Sequence, residues 1–318
     1  MTIIALVAVL LVAAAAYPYF SEWRRLSPTG NWKDSAPGQF VELSGGETHF
    51  QWRGPLKGPI AVCIHGLTTP SGAFEAVAED LSTMGFRVLT YDLYGRGYSA
   101  SGESAQTLDV FLAQLSELLE SEGVKTGTER GDNLLLVGYS MGAMIATRFA
   151  INYPERIDRL VLLAAAGLGQ NISEEIAKMR DRPWVGDWIM LGFGARTMAK
   201  EISDARDAAG ELDVEGIYDY QLAQLRRQGY LPAVLSSLRH TLQVDQFNDH
   251  ESLARMNLPV LAIWAEDDEI IPESARARMA EANPKARQVV LSGVGHDIAF
   301  TSAADIRAAI QAFLKTII

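Results

Sequence analysis

Residues 134–142 read Leu-Leu-Leu-Val-Gly-Tyr-Ser-Met-Gly, and this stretch decides the fold. The first four residues are apolar and predict a buried strand, while residues 141–153 carry a helical pattern. Ser140 therefore stands at a sharp turn from strand to helix, with Gly138 and Gly142 two residues to either side. Glycine is needed at both positions because any Cβ would collide where the strand and the helix cross. The turn predicts a serine that is lifted out of the sheet as a nucleophile.

Short apolar segments alternate with helical patterns on both sides of this turn. Strands are predicted at residues 60–64, 87–91, 133–137, 159–163, 260–264 and 287–291, and helices at 72–84, 108–122, 141–153, 274–282 and 303–315. Strand and helix in repetition predict a doubly wound α/β fold with a mostly parallel sheet. Residues 167–256 interrupt the alternation with helical patterns and several Trp and Met residues, which predicts an inserted helical cap.

The domain organisation follows from these patterns. We predict an α/β core in two parts, residues 40–166 and 257–318, with the cap at residues 167–256 between them. Residues 1–22 form a separate apolar segment, and the polar residues 23–39 are predicted to be a linker. Trp184, Trp188, Met190, Leu191 and Phe193 of the cap are candidates either for the wall of an apolar pocket or for the core of the cap itself.

The N-terminal segment is apolar enough for lipid. No charged residue occurs in residues 1–21, and about 20 apolar residues span a bilayer core. Four aromatic residues close the run as an interfacial belt: Tyr17, Tyr19, Phe20 and Trp23. We predict a single-pass membrane anchor, and Arg24 and Arg25 after it favour a cytoplasmic catalytic domain. The alternatives are a signal peptide cleaved near residues 13–16, which leaves a secreted or periplasmic protein, and a helix packed in an apolar groove of its own domain.

Composition excludes several classes of protein. With 318 residues, 48% hydrophobic and 21% charged, the chain is too apolar for a disordered protein. The net charge of −11 argues against a nucleic-acid partner, since phosphate binding needs a basic face. The one cysteine, Cys63, excludes an intrachain disulfide framework and a multi-Cys metal site. We predict neither a cofactor nor a metal, and the oligomeric state stays open.

Further polar residues follow the predicted strands at the edge where Ser140 lies. His65-Gly66-Leu67 follows residues 60–64, and the backbone N–H groups of Leu67 and Met141 are candidates for an oxyanion hole. A serine needs a base to take its proton, and of the five histidines His296 follows the last strand in a loop that reaches this edge. We interpret His65 as a loop histidine that transfers no proton.

An acid must hold the histidine, and two carboxylates compete for that position. Asp267 and Asp268 both lie in the loop after residues 260–264, at the same edge of the sheet. Composition does not separate them, because the two side chains are identical and adjacent. Asp92, Arg96 and Ser99 also carry polarity near the site, and we interpret them as residues that stabilise a tight loop.

Five motifs in this order resemble the α/β-hydrolase superfamily over residues 40–318. His65-Gly66 resembles its oxyanion loop, the elbow at Ser140 its nucleophile motif and Gly295-His296 its final motif. The segment from Asp92 to Ser99 is similar to its D-x-x-G-x-G-x-S signature. In the family's acid loop the acid lies three residues after a small residue and four before a proline. Ala265 and Pro272 bracket Asp268 in that way, so the resemblance implies Asp268 as the acid.

The resemblance also limits the classes of reaction that are expected of this chain. Ala265 stands where the family usually has Gly, which is a small departure. Ser140 separates this chain from the dehalogenases and epoxide hydrolases of the superfamily, which attack with Asp. The apolar N-terminus together with the cap resembles membrane-anchored monoacylglycerol-lipase-like esterases.

These inferences predict a serine hydrolase of carboxylic esters, with Ser140 as nucleophile, His296 as base, Asp268 as acid and the N–H groups of Leu67 and Met141 as oxyanion donors. The expected partner is a small-molecule ester, apolar or lipid-like, and the expected contact with a membrane is through the N-terminal segment. Two alternatives stay open. One is a hydrolase of carbon–carbon bonds in vinylogous diketones on the same triad, and the other is a hydrolase-like protein that binds a ligand without catalysis.

Overall fold

A computed structural model of the chain describes residues 2–26, 31–34, 36–102, 104–124 and 133–315. Within these ranges eight strands form one sheet: β1 (Gln39–Leu43), β2 (Gly46–Arg53), β3 (Ile60–Ile64), β4 (Arg87–Tyr91), β5 (Leu134–Tyr139), β6 (Ile157–Leu163), β7 (Val260–Ala265) and β8 (Arg287–Leu291). The α-helices of the same ranges are α1 (Thr2–Trp23), α2 (Asn31–Asp34), α3 (Glu75–Thr83), α4 (Leu108–Ser121), α5 (Met141–Asn152), α6 (Glu174–Asp181), α7 (Val185–Ile189), α8 (Ala195–Ala208), α9 (Ile217–Gln224), α10 (Tyr230–Arg239), α11 (Phe247–Met256), α12 (Glu273–Ala282), α13 (Ile298–Thr301) and α14 (Ala303–Lys315).

The sheet is mostly parallel, as predicted. Its strand order is β1-β2-β4-β3-β5-β6-β7-β8. β2 pairs antiparallel with β1 and with β4, and every other pair of neighbours is parallel. Every residue of β5 and β7 is buried, because helices cover both faces of a doubly wound sheet. The carboxyl ends of β3, β5, β6 and β7 therefore meet at one edge, where the loops that follow them come together.

The six predicted strands are β3 to β8; the bounds of β3, β4 and β8 are those predicted, and the ends of β5, β6 and β7 differ by one or two residues. β1 and β2 were not predicted, and together they form an antiparallel hairpin at one end of the sheet. Their sequences, QFVEL and GETHFQWR, are rich in polar residues and only partly buried. A strand at the margin of a sheet needs no continuous apolar run, so periodicity gave no clear signal there.

The segment between β6 and β7 is helical. Residues 167–256, all of them described, contain helices α6 to α11, a π-helical turn at Met190–Gly194, and no strand. Ser173 caps α6 by accepting a hydrogen bond from the N–H of Ile176 at 3.4 Å. The helical insertion after β6 accordingly has the position and the helical content predicted for a cap.

The N-terminal helix α1 is long and apolar enough to cross a membrane, and its large side chains from Ile3 to Val12 are exposed. Only 6% of this segment is buried, so α1 is not the core helix of its own domain. Part of the predicted linker differs from expectation, because residues 23–26 continue from α1 onto the cap and residues 31–34 form α2. Residues 27–30 and 35 of that linker lie outside the described ranges.

Candidate active site

Ser140 lies at the turn between β5 and α5 with φ 52° and ψ −118°, a backbone conformation that non-glycine residues rarely adopt. Such strain costs of order 1–3 kcal/mol and persists only where the surroundings enforce it. A Cβ on Gly142 would lie 2.0 Å from the carbonyl oxygen of Ile64, and one on Gly138 would lie 2.5 Å from the carbonyl oxygen of Gly142. Neither glycine tolerates a side chain, so the glycines on both sides of Ser140 have the steric role that the sequence predicts.

Three predicted site residues form one hydrogen-bonded chain. The Oγ of Ser140 lies 3.0 Å from Nε2 of His296, and Nδ1 of the same ring lies 2.8 Å from Oδ2 of Asp268. An ionised carboxylate only accepts hydrogen bonds, so Nδ1 carries the proton and donates to Asp268. Nε2 then accepts the hydroxyl proton of Ser140, which is the orientation a general base requires.

The loop after β7 separates the two candidate acids. The carboxylate of Asp268 is 2% exposed, and its Oδ1 accepts backbone N–H bonds from Ile270 at 2.9 Å and from Ile271 at 2.8 Å. These two bonds fix the side chain in a turn that points Oδ2 at the imidazole. Asp267 is exposed, and its backbone N–H bonds to the carbonyl oxygen of Val294. The geometry thus brings Asp268, and not Asp267, to His296.

The loop that carries His296 is held by tyrosines that sequence reasoning did not assign. The hydroxyl of Tyr139, the residue before Ser140, donates to the carbonyl oxygen of His296 at 2.8 Å. Burial, followed by the nearby carboxylates of Asp268 and Asp297, raises the pKa of Tyr139 well above its usual value, so this hydroxyl keeps its proton. Tyr218 of α9 donates to Asp297 at 2.8 Å and ties the cap to the same loop.

The two predicted oxyanion donors, Leu67 and Met141, belong to two segments that pass close to Ser140. Met141 is the first residue of α5, so its N–H belongs to the helical turn whose amides lack partners inside the helix. The loop with Leu67 also passes the serine closely, since a Cβ on Gly66 would lie 3.3 Å from the Cβ of Ser140. The role of Leu67 and Met141 as donors to a substrate oxygen stays a prediction.

His65 is fully buried and both of its ring nitrogens are occupied. Nε2 accepts the N–H of Leu93 at 2.9 Å, so Nδ1 carries the proton and donates to the carbonyl oxygen of Gly66 at 2.8 Å. Burial lowers the pKa of His65 to about 4, which keeps the ring neutral. This geometry fits a histidine that shapes the oxyanion loop.

Arg96 connects the loop with Leu67 to the cap. Its Nε donates to the carbonyl oxygen of Leu67 at 3.1 Å, while Nη2 donates to the hydroxyl of Ser237 on α10 at 2.7 Å. Nη1 donates to the carbonyl oxygen of Tyr94 and to the side chain of Gln106. The side chain is fully buried, and burial lowers its pKa to about 10, so it is charged at neutral pH. Sequence analysis assigned Arg96 only a local structural role, because the Asp92–Ser99 motif does not reveal a partner on a distant helix.

The carboxylate of Asp92 organises the loop after β4. It accepts the backbone N–H groups of Ser71 at 2.8 Å and Tyr98 at 2.9 Å, and it pairs with Nδ1 of His49 at 2.7 Å. Burial alone raises the pKa of Asp92, but the hydrogen bond and charge of His49 outweigh it and the net pKa is lowered. Burial likewise lowers the pKa of His49, and the bond to Asp92 reverses this to a net rise. His49 carries no sequence motif and was not singled out.

The apolar side chains of the cap divide into two groups. Met190 and Leu191 are buried and pack inside the cap, whereas Trp184 and Phe193 are exposed. Trp184 and Phe193 therefore do not line an internal pocket, which corrects one of the two interpretations offered for them. Trp184 stands just before α7 with a φ of 65°, so its side chain does not belong to the buried face of that helix.

The remaining candidates for a reactive or metal-binding role lie in surroundings that are typical of structural residues. Cys63 is fully buried in β3, and burial raises the pKa of its thiol far above the usual value. Within the described residues, no group of three or more His, Cys, Asp or Glu side chains is placed to hold a metal ion. A cavity of about 270 Å³ lies beside Ser71, Tyr98 and Tyr220, and its lining does not include Ser140.

Comparisons with known proteins agree with this architecture. A family model described as the alpha/beta hydrolase fold matches residues 59–303. A pimeloyl-[acyl-carrier protein] methyl ester esterase of Nitrosomonas europaea is 29% identical over 75% of this chain and 89% of its own length. A 2-hydroxy-6-oxononadienedioate/2-hydroxy-6-oxononatrienedioate hydrolase of Cupriavidus pinatubonensis is 26% identical over 83% of this chain and 90% of its own. The structure of a thermophilic esterase from Thermogutta terrifontis superposes with a TM-score of 0.68 at 23% identity, covering 88% of this chain and 99% of the other.

Proposed function

Because the chain belongs to the alpha/beta hydrolase fold family, we propose that it is a serine hydrolase of carboxylic esters that acts through an acyl-enzyme on Ser140. One observation carries the proposal: Ser140, His296 and Asp268 form a continuous hydrogen-bonded chain with links of 3.0 and 2.8 Å. Sequence motifs alone do not require these three side chains to meet, since they lie 156 and 28 positions apart along the chain.

The chemistry follows from the protonation states. Ser140 Oγ attacks the ester carbonyl carbon while its proton passes to Nε2 of His296, and Asp268 stabilises the imidazolium. The carbonyl oxygen becomes an oxyanion, which the N–H groups of Leu67 and Met141 receive. The carbon–oxygen bond to the alcohol then breaks, and Nε2 returns its proton to the leaving alcohol. Water repeats the sequence on the acyl-enzyme, with His296 as base, and releases the carboxylic acid and free Ser140.

An apolar or lipid-like ester is the proposed substrate class. The support is the exposed apolar helix α1 and the apolar side chains of the cap. We further propose that α1 anchors the protein in a membrane with the hydrolase on the cytoplasmic side, given Arg24 and Arg25 at its end. Cleavage as a signal peptide is the alternative, and the mass of the mature protein from membrane fractions separates the two outcomes.

Carbon–carbon bond hydrolysis is the second candidate activity. The observation that favours it is the relative in Cupriavidus pinatubonensis, whose name describes a hydrolase of oxo-dienedioates. Parallel assays on a dienoate substrate and on p-nitrophenyl esters discriminate the two reactions. We expect turnover of the esters to exceed turnover of the dienoate.

Labelling by a fluorophosphonate probe tests the proposal, because the probe reacts only with an activated serine. We expect the wild-type chain to be labelled and Ser140→Ala to be unlabelled, with turnover of esters reduced by about 10⁶. Ser274→Ala is the matched control, since Ser274 is an exposed serine on α12 outside the hydrogen-bonded chain of Ser140, His296 and Asp268. Label on Ser140→Ala, or a wild-type chain that takes no label, would contradict the proposal and favour a ligand-binding protein without catalysis. A series of ester chain lengths, assayed with and without detergent, then defines the acyl preference.

A further inference from the structure

The helix α1 contains a proline that leaves one backbone carbonyl without its helical partner. Pro18 has no N–H, so the carbonyl oxygen of Ala14, four residues earlier, receives no hydrogen bond from the helix. The indole N–H of Trp188 in α7 donates to that oxygen at 3.0 Å. The cap thus supplies the donor that the proline removed, and this contact fixes Trp188 to one position along α1.

Further contacts hold the second half of α1 against the cap. Pro18 is buried, and Gly192 packs beside it, since a Cβ on Gly192 would lie in ordinary van der Waals contact with the ring of Tyr17 at 3.5 Å and with Pro18 at 3.6 Å. At the end of the helix, the carboxylate of Glu22 accepts the backbone N–H of Gly229 at 2.6 Å. Arg25 pairs with Glu22 at 2.8 Å and donates to the carbonyl oxygen of Leu225. The second half of α1 is therefore attached to the cap at several points along its length.

The position of these contacts determines where the cap lies along the axis of α1. Ala14 lies nine residues before Trp23, which is about 13 Å along an α-helix. Ala14 also belongs to the aliphatic part of the helix, before the aromatic residues that begin at Tyr17. If the aliphatic part of α1 lies in the hydrocarbon core of a bilayer, the segment of α7 that contacts Ala14 lies at the depth of the interfacial layer or deeper.

The same segment of the cap exposes apolar side chains. We define the cap apolar surface as the exposed Trp184, Val185 and Phe193 together with the half-buried Trp188. Trp184 is 84% exposed and is held in a strained left-handed conformation, with its backbone N–H bonded to Asp187 at 2.9 Å. Asp187 is itself held by Arg239 on α10 at 2.8 Å. These hydrogen bonds keep the large aromatic ring of Trp184 directed away from the protein. A surface that faces only water has no need of such an exposed apolar ring.

We propose that the cap apolar surface binds the interfacial region of the phospholipid bilayer into which α1 inserts. The proposal rests on the anchor proposed above, and it commits to the bilayer because the surface is continuous with α1 through the Tyr17–Phe193 ring contact at 6.2 Å. Trp places an apolar ring and a polar N–H at the two sides of the boundary between acyl chains and headgroups. Exposed Arg182 and Arg196 flank the surface and supply positive charge for lipid phosphates.

Depth measurements on the full-length chain in phosphatidylcholine vesicles test the proposal. Single cysteines carry an environment-sensitive nitrobenzoxadiazole label at Trp184→Cys, and the buried Cys63 stays unlabelled. Leu56→Cys is the matched control, because Leu56 is a similarly exposed apolar residue, 83% exposed, in the loop between β2 and β3. Val9→Cys reports on insertion of α1, and Val185→Cys replaces Trp184→Cys if that variant misfolds. Labelling of Ser140 by the fluorophosphonate probe verifies each fold independently of the membrane.

We expect the label at position 184 to be quenched by a lipid with a nitroxide near its headgroup and protected from iodide in solution. The label at position 56 should show the reverse behaviour, and the label at position 9 should be quenched by a nitroxide deep in the acyl chain. If position 9 is deep and position 184 responds like position 56, the cap apolar surface faces water and the proposal is wrong while the anchor stands. If position 9 is itself accessible to iodide, α1 is not inserted and both proposals fall. Neither result bears on Ser140 as a nucleophile.

Discussion

Oδ2 of Asp268 lies 2.8 Å from Nδ1 of His296, whereas the adjacent Asp267 is exposed to solvent. A shift of one residue within a tight turn reverses the direction of a side chain, so only one of two neighbouring carboxylates can reach the imidazole. Two backbone N–H bonds to Oδ1 of Asp268 hold the carboxylate in that direction.

Asp268→Asn should reduce turnover of an ester by about 10⁴, because an amide keeps the shape but loses the charge that holds the imidazolium and its tautomer. Asp267→Asn is the matched variant, and it should cost less than about tenfold, since an exposed group outside the hydrogen-bonded chain contributes little. Steady-state kinetics of both variants on one p-nitrophenyl ester measure the difference. An inactive Asp267→Asn beside an active Asp268→Asn would refute the assignment.

Much of the core could be predicted, because its strands are continuous apolar runs with both faces covered. β3 and β7 illustrate this, since nearly every residue in them is buried. β2 illustrates the limit, because its sequence, GETHFQWR, is rich in polar residues and nothing in its periodicity separates it from a loop. In the structure it pairs antiparallel with β1. A strand near the end of a sheet is stabilised by its neighbours in the sheet rather than by its own apolar content.

The candidate site was predictable to a similar extent and for a topological reason. Parallel strands bring the loops after β5, β7 and β8 to one edge of the sheet, so Ser140, Asp268 and His296 are expected at that edge, although strand order alone does not require them to meet. Contacts such as that of Arg96 with Leu67 depend on the path of a long side chain through the core, and no spacing encodes that path.

Arg96→Lys should lower kcat more than it changes KM. Lysine keeps the charge but cannot bond simultaneously to Leu67 and Ser237, so the oxyanion loop loses its attachment to the cap. Complete removal of an oxyanion donor costs about 10²–10³ in kcat, so displacement of one should cost on the order of 10-fold to 100-fold. Ser237→Ala, which keeps the bond to Leu67, is the control and should lose less than about threefold. An Arg96→Lys enzyme with wild-type kcat and lowered thermal stability would mean that the residue only supports the fold.

His49 should contribute to stability in a pH-dependent way. Its pKa in the folded protein is raised by the bond to Asp92, so its charge stabilises the fold fully below its usual pKa of 6.5. That contribution is lost as the pH rises through the raised pKa, and each pKa unit of the rise is worth about 1.4 kcal/mol. The difference in unfolding free energy between wild type and His49→Asn should therefore be larger at pH 6 than at pH 9, as measured by urea denaturation. A difference that stays constant over this range would show that the pKa of His49 is the same in the folded and the unfolded protein.

The position of an N-terminal truncation should matter. Deletion of residues 1–20 keeps Glu22, Arg25 and Leu26, which contact the cap at Gly229, Leu225 and Arg227. Deletion of residues 1–26 removes all of these contacts. In mild detergent we expect the shorter deletion to keep more of the wild-type melting temperature and ester turnover than the longer one, by differential scanning fluorimetry and kinetics. Equal melting temperatures would indicate that residues 21–26 add nothing to the cap.

The bond from Trp188 to Ala14 should be coupled to the proline that created its acceptor. Trp188→Phe keeps an aromatic ring and removes the N–H, and the loss of this one hydrogen bond should cost about 0.5–1.5 kcal/mol. In a Pro18→Ala background, residue 18 regains an N–H that bonds to Ala14 within the helix, so the same change at Trp188 should cost much less. Urea denaturation of the four proteins in detergent micelles gives the coupling energy as a double-mutant cycle.

The control for this cycle is Trp184→Phe combined with Pro18→Ala. Trp184 lies on the same segment of the cap but is exposed, so its effect should add to that of Pro18→Ala within about 0.5 kcal/mol. The predicted signature is thus non-additivity for Trp188 and additivity for Trp184, which separates loss of one specific hydrogen bond from general loosening of α1. Additivity for both tryptophans would mean that the carbonyl of Ala14 finds another donor once Trp188 is changed. The docking of α1 on the cap would then depend on Glu22 and Arg25, at the end of the helix, rather than on Pro18.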